Sequence, residues 1–117
     1  MREIDVALLG ILQVARDSSI RGVGISLVDA LSRCRYQEFR SMFTAEDFVP
    51  LLQGDPQLVQ DWLLFSEDKR TTGGWYVLET GEVGNLTTGT HLQFPSLPIS
   101  VANFVTRELD YCAGCAG

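Results

Sequence analysis

The stretch WYVLETGEVGNLTTGTHLQF, residues 75–94, decides the fold class. It opens on two aromatics and a valine, the composition of a strand, and the residues before it follow a helical period. Gly81 marks a short turn before a strand at 83–88, and Gly89 precedes a strand at 90–94. In that last strand Thr90, Leu92 and Phe94 fall on one side and His91 and Gln93 on the other, which is the two-residue period of a half-buried sheet. An antiparallel meander is expected.

Upstream, the period is helical. Ile4, Leu8, Ile11, Leu12 and Ala15 recur at helix spacing, with Val6, Leu9 and Val14 making that segment apolar all round, so the reading places this helix centrally. Gly22 and Gly24 form a joint before Ser26, which is read as the cap of a second helix with Leu27, Leu31 and Cys34 turned inward. Tyr36, Phe39, Met42 and Phe43 extend that helix or add a short turn. Thr44, Glu46 and Asp47 start a third helix, which Gly54 stops. Asp55 and Pro56 start a fourth, with Leu58, Val59, Trp62, Leu63 and Phe65 as its buried stripe. Downstream of the meander, Ser96 is read as the cap of a last helix striped by Val101, Ala102, Val105 and Leu109, with Pro98 in its first turn. The fold class is α+β, with four N-terminal helices, a short antiparallel meander of two or three strands and a C-terminal helix, forming a single domain over residues 1–117.

The formal charge is −6, unevenly spread. Residues 1–43 hold six arginines against five acids, whereas residues 44–117 hold ten acids against three bases. An acidic field repels phosphate backbones, so no nucleic-acid partner is expected and a basic protein is favoured. The apolar run from Ile4 to Ala15 is too short to span a bilayer, for which roughly 20 residues are needed, and it lacks a leader's cleavage signal. Three cysteines make no even secretory framework, and a cytoplasmic location with no membrane contact is expected.

No residue set here makes a catalytic centre, so no enzyme activity and no cofactor are expected. The Cys112-x-x-Cys115 pair follows a helix C-terminus beside Glu108 and Asp110, where neither dipole nor charge favours a thiolate. A zinc site would need the distant Cys34 and His91. His91, the single histidine, alternates with Gln93 on the polar side of a strand and has no nucleophile motif near it. No phosphate-cradling glycine loop occurs.

The polar segment 66–74, leading into Trp75 and Tyr76, reads as a connecting loop that could serve recognition. The run Asp61-Trp62-Leu63-Leu64-Phe65-Ser66-Glu67-Asp68-Lys69-Arg70, continuing into Gly74-Trp75-Tyr76-Val77-Leu78 and the later step Phe94-Pro95-Ser96, resembles small bacterial immunity proteins of contact-dependent growth inhibition and related polymorphic toxin systems. The resemblance covers roughly the second half of the chain. It implies a cytosolic protein that binds and blocks a cognate toxin domain, often a nuclease, and it supplies no catalytic residues. The expected contacts are Asp61, Glu67, Asp68, Glu79 and Glu82, with Trp75 and Tyr76 as aromatic anchors. A housekeeping adaptor acting through the same surface is the alternative, and a thiol or metal enzyme built on Cys34, His91, Cys112 and Cys115 is a third.

Overall fold

The computed structural model describes residues 3–15, 27–69 and 74–113, with the backbone alone for residues 27, 28, 68 and 69. The expected joint at Gly22 and Gly24, the Ser26 cap, the tip of the polar segment and Cys115 lie outside the described residues.

Helix α1, Glu3–Leu12, turns Leu8, Ile11 and Leu12 inward, and Val14 and Ala15 behind it are also buried. Helix α2, Leu27–Arg33, is followed by Arg35 at a φ of +59°, a left-handed conformation that a continuing helix cannot accommodate. The chain therefore restarts as a short helix α3, Tyr36–Phe39, and a 3-10 turn, Arg40–Met42, which is the extra turn allowed by the sequence. Helix α4, Ala45–Gly54, begins where the Thr44 amide donates to Asp47 Oδ2 at 2.7 Å. Its Pro50 sits on an exposed face, where water can serve the carbonyl left without an amide donor.

Helix α5, Pro56–Lys69, starts at Asp55, whose Oδ1 accepts the Gln57 amide at 3.1 Å. It runs four residues beyond the expected end at Phe65. Polar residues alone do not stop a helix, and between Phe65 and Lys69 there is neither glycine nor proline to do so.

The sheet is an antiparallel meander in the order β1-β2-β3, with β1 Trp75–Val77, β2 Glu82–Asn85 and β3 Thr90–Gln93. Tyr76, Gly84 and His91 lie in line across the three strands. Strand β2 ends three residues before the expected Thr88, because Asn85 Oδ1 accepts the amides of Thr87 and Thr88 at 2.9 and 3.0 Å. That contact folds residues 86–89 into a turn closed by Gly89 at a φ of +74°.

Helix α6, Leu97–Ala113, packs against α2, α4, α5, β1 and β2, and so takes the central place that the sequence assigns to α1. Its Val101, Ala102, Phe104, Val105 and Leu109 are fully enclosed. Phe104 meets Trp62 edge-on at 6.2 Å between ring centroids, and the Trp62 indole N–H donates to the Leu12 carbonyl at 2.8 Å, tying the end of α1 to α5 and α6. The expected Ser96 side-chain cap does not form. The Ser96 carbonyl accepts the Ser100 amide at 3.0 Å, while its hydroxyl is enclosed without a hydrogen-bond partner among the described residues.

The free edge of β1 is closed by two side chains. Ser66 Oγ accepts the Val77 amide at 2.9 Å and donates to the Val77 carbonyl at 3.2 Å, and Glu108 Oε1 accepts the Trp75 amide at 3.1 Å. Outward-pointing backbone groups of an edge strand otherwise invite pairing with another chain. The long α5 is what brings Ser66 to that edge.

Candidate functional site

Acidic residues supply the expected binding surface, and the structure divides them. Asp61 is 2% exposed and its Oδ1 accepts Gln57 Nε2 at 3.0 Å, so its carboxylate is closed to a partner in this conformation. Asp110 is 6% exposed. Its Oδ1 accepts the Tyr36 hydroxyl at 2.6 Å and Arg40 Nε at 2.6 Å, and its Oδ2 accepts Arg40 Nη2 at 2.9 Å. This paired guanidinium and phenol fix the segment around α3 onto α6 across some 70 residues of sequence. Glu108 seals the β1 edge. Among the described residues, three acids of the second half of the chain, Asp61, Glu108 and Asp110, are thus enclosed in the interior.

The outer face of the sheet is different. Strand alternation turns Val77 and Val83 toward the helices, where both are buried, and puts Tyr76, Glu82, Gly84 and His91 on the opposite face. The Tyr76 hydroxyl donates to Glu82 Oε2 at 2.6 Å, and its oxygen lies 3.1 Å from His91 Nδ1. His91 Nδ1 is also 3.4 Å from Glu82 Oε2. Gly84 makes this possible, since a Cβ there would come within 2.3 Å of the Tyr76 phenol carbon and oxygen. A glycine in the middle strand therefore gives the phenol end its seat. The hydrogen bond to Glu82 pushes the Tyr76 phenol up to about 12, and the same bond holds Glu82 below its ordinary value, with His91 as a smaller cause.

Leu78 and Leu86 extend this face. The Leu78 amide donates to the Glu82 carbonyl and the Leu86 amide to the Gly74 carbonyl, both at 2.9 Å, so the ladder continues at each end of the hairpin. Leu78 is 45% exposed and Leu86 55%. A half-buried tyrosine and two exposed leucines around a fixed carboxylate have the mixed composition of a protein interface.

Neither a known family model, nor a curated protein, nor a solved structure matches this chain.

Of the expected contacts, Tyr76 and Glu82 come together on the outer face, and Glu79 is exposed in the adjoining β1–β2 turn. Glu67 is exposed on α5, and the side chain of Asp68 lies outside the described set. Trp75 points the other way from Tyr76. It is half-buried against the core, and the Arg107 guanidinium stacks over its ring at 4.9 Å, beside a cleft of about 420 Å³ along α6. The two expected anchors therefore serve opposite faces of β1, as the two-residue period requires.

His91 and Gly84 are the members of the outer-face cluster that the sequence reading did not assign to binding. The legible signal was the glycine inside a strand pattern. Among the described residues no three His, Cys, Asp or Glu side chains cluster to hold a metal ion, and no helix is long and apolar enough to cross a membrane. Cys34 is half-buried, its thiol donating to the Leu31 carbonyl at 3.4 Å, and burial pushes that thiol up, away from thiolate chemistry.

Proposed function

We propose that this chain is an immunity protein that binds and neutralises a cognate, basic toxin domain through the outer face of its sheet, and that it has no catalytic activity of its own. One observation carries the reading: Tyr76, Glu82 and His91 are locked together on an open sheet face flanked by exposed Leu78 and Leu86. A catalytic Glu–His pair needs a concave, water-excluding pocket, and the clefts along α6 and beside α3 are not lined by these residues. An open face of aromatic, aliphatic and acidic side chains suits a protein surface instead, with the half-exposed Glu82 and the exposed Glu67 and Glu79 steering a basic partner. The partner class comes from the resemblance of residues 61–70, 74–78 and 94–96 to immunity proteins.

The test is association kinetics against the product of the neighbouring gene at two ionic strengths. Reversing Glu67, Asp68, Glu79 and Glu82 to lysine is expected to slow association and flatten its salt dependence, with circular dichroism unchanged. Absence of binding by the wild type, or unaltered association of the reversed variant, contradicts the proposal.

A further inference from the structure

We infer that the outer sheet face contains a socket for one arginine side chain of the protein partner, made by the carboxylate of Glu82 and the ring of Tyr76. The inference rests on the protein-binding reading above and names the group that is recognised.

The socket is built before any partner arrives. Tyr76 has one hydroxyl hydrogen, and the 2.6 Å bond assigns it to Glu82 Oε2. The 3.1 Å approach of His91 Nδ1 to the same phenol oxygen then requires the hydrogen on Nδ1, so His91 donates to Tyr76 and its Nε2 faces away from the pair. Gly84 seats the phenol end where any side chain would collide with it. Ring and carboxylate are thereby held side by side, and a partner need not order them on binding.

What remains open selects the ligand. Glu82 Oε2 is engaged, while Oε1 has no hydrogen-bond partner among the described residues. The only basic side chain within ion-pair distance of Glu82 among those residues is His91, at 3.4 Å. When that imidazole is neutral the site carries one uncompensated negative charge, in a protein of formal charge −6. A cation is therefore favoured over a neutral or anionic group, and its shape is restricted. A guanidinium can present N–H donors to a carboxylate oxygen while its plane lies on an aromatic ring, whereas an ammonium is a compact point charge that stays strongly hydrated.

The probes are acetyl-Arg-Arg-Arg-amide and acetyl-Lys-Lys-Lys-amide, titrated into the full chain and followed by amide and side-chain NMR shifts. The arginine peptide is expected to move Tyr76, Glu82, Gly84 and His91 resonances and to bind several-fold tighter than the lysine peptide. Glu82→Gln, nearly isosteric, is expected to weaken it about tenfold, the loss of one charge-assisted hydrogen bond. Tyr76→Phe keeps the ring, frees the carboxylate and is expected to weaken binding by less. Gly84→Ala displaces the phenol without altering charge, and if it fails to fold the first two variants still decide the matter. Equal affinity for the two peptides, or shifts spread over the other acids and absent from this face, would overturn the socket. A toxin partner that binds tightly to wild type and equally to Glu82→Gln and Tyr76→Phe would also overturn it while leaving the proposed function standing. Arginine-selective shifts on this face without any neutralised toxin would support the socket and remove the immunity reading alone.

Discussion

On α6 the carboxylates of Glu108 and Asp110 are enclosed and each accepts donors from a distant part of the chain, whereas on the outer sheet face Glu82 gives one oxygen to Tyr76 and keeps the other without a partner among the described residues. Both sets count equally in the formal charge. Their physical roles differ because a buried carboxylate must be matched by donors to be tolerated at all, while an exposed one is hydrated and can exchange water for a ligand. The surface field of the second half is accordingly weaker than its composition suggests, and among the described residues it is carried by Glu46, Asp47 and Asp55 around the starts of α4 and α5 as well as by Glu67, Glu79 and the half-exposed Glu82.

The comparison can be broken from the interior side first. Trp62→Ala removes a fully enclosed indole and its bond to the Leu12 carbonyl, and a loss of about 3–5 kcal/mol in a denaturant melt is expected. This calibrates what the core contributes around α6. Asp110→Ala strips Tyr36 and Arg40 of their acceptor and is expected to cost about 3 kcal/mol, at the lower end for a broken buried pair because the Arg40 side chain is 29% exposed and water can reach it. A loss near zero would place Asp110 with the surface acids.

The outer face is expected to respond less. Gly84→Ala forces the Tyr76 phenol off its seat and is expected to cost about 1–2 kcal/mol, as an overpacked contact does. Most of that loss is expected to disappear in the Gly84→Ala/Tyr76→Ala double variant, relative to Tyr76→Ala alone, because the colliding atoms are gone. The smallest effect is spectroscopic. Tyrosinate absorbance is expected to show one phenol titrating near 12 in the wild type and nearer 10 in Glu82→Gln. The folded state holds the Tyr76 proton more tightly than the unfolded chain does, so this contribution to stability is complete below pH 10 and is lost as pH rises from about 10 to about 12. For Glu82, held below its ordinary value, the contribution is present above that value and is lost as pH falls through the lowered one.

Much of the fold was legible. The Asp55–Pro56 restart, the Thr44 start, the meander and the inward stripe of α6 all follow from local chemistry, because caps, turn glycines and apolar periods act within a few residues of where they are written. What was not legible depends on long-range geometry. Arg35 in a left-handed conformation has no sequence marker, and nothing local to Glu108 and Asp110 announces that Trp75, Tyr36 and Arg40 reach them from 33 to 74 residues away. Of the candidate site, Tyr76 and Glu82 were readable as an aromatic and an acid near a hairpin. Their union with His91 follows from the register Tyr76↔Gly84↔His91, which the strand lengths alone do not set.

The central claim joins the buried acids that tie distant segments together to the proposal that Glu82, on the open sheet face, binds a partner. The most direct measurement pairs a denaturant melt with partner-binding kinetics on two variants, Asp110→Ala and Glu82→Gln. The account predicts that Asp110→Ala lowers the melting midpoint and, at temperatures where it remains folded, binds like wild type, while Glu82→Gln melts nearly as wild type does and dissociates faster. A Glu82→Gln variant that binds unchanged, or an Asp110→Ala variant that is as stable as wild type, contradicts it.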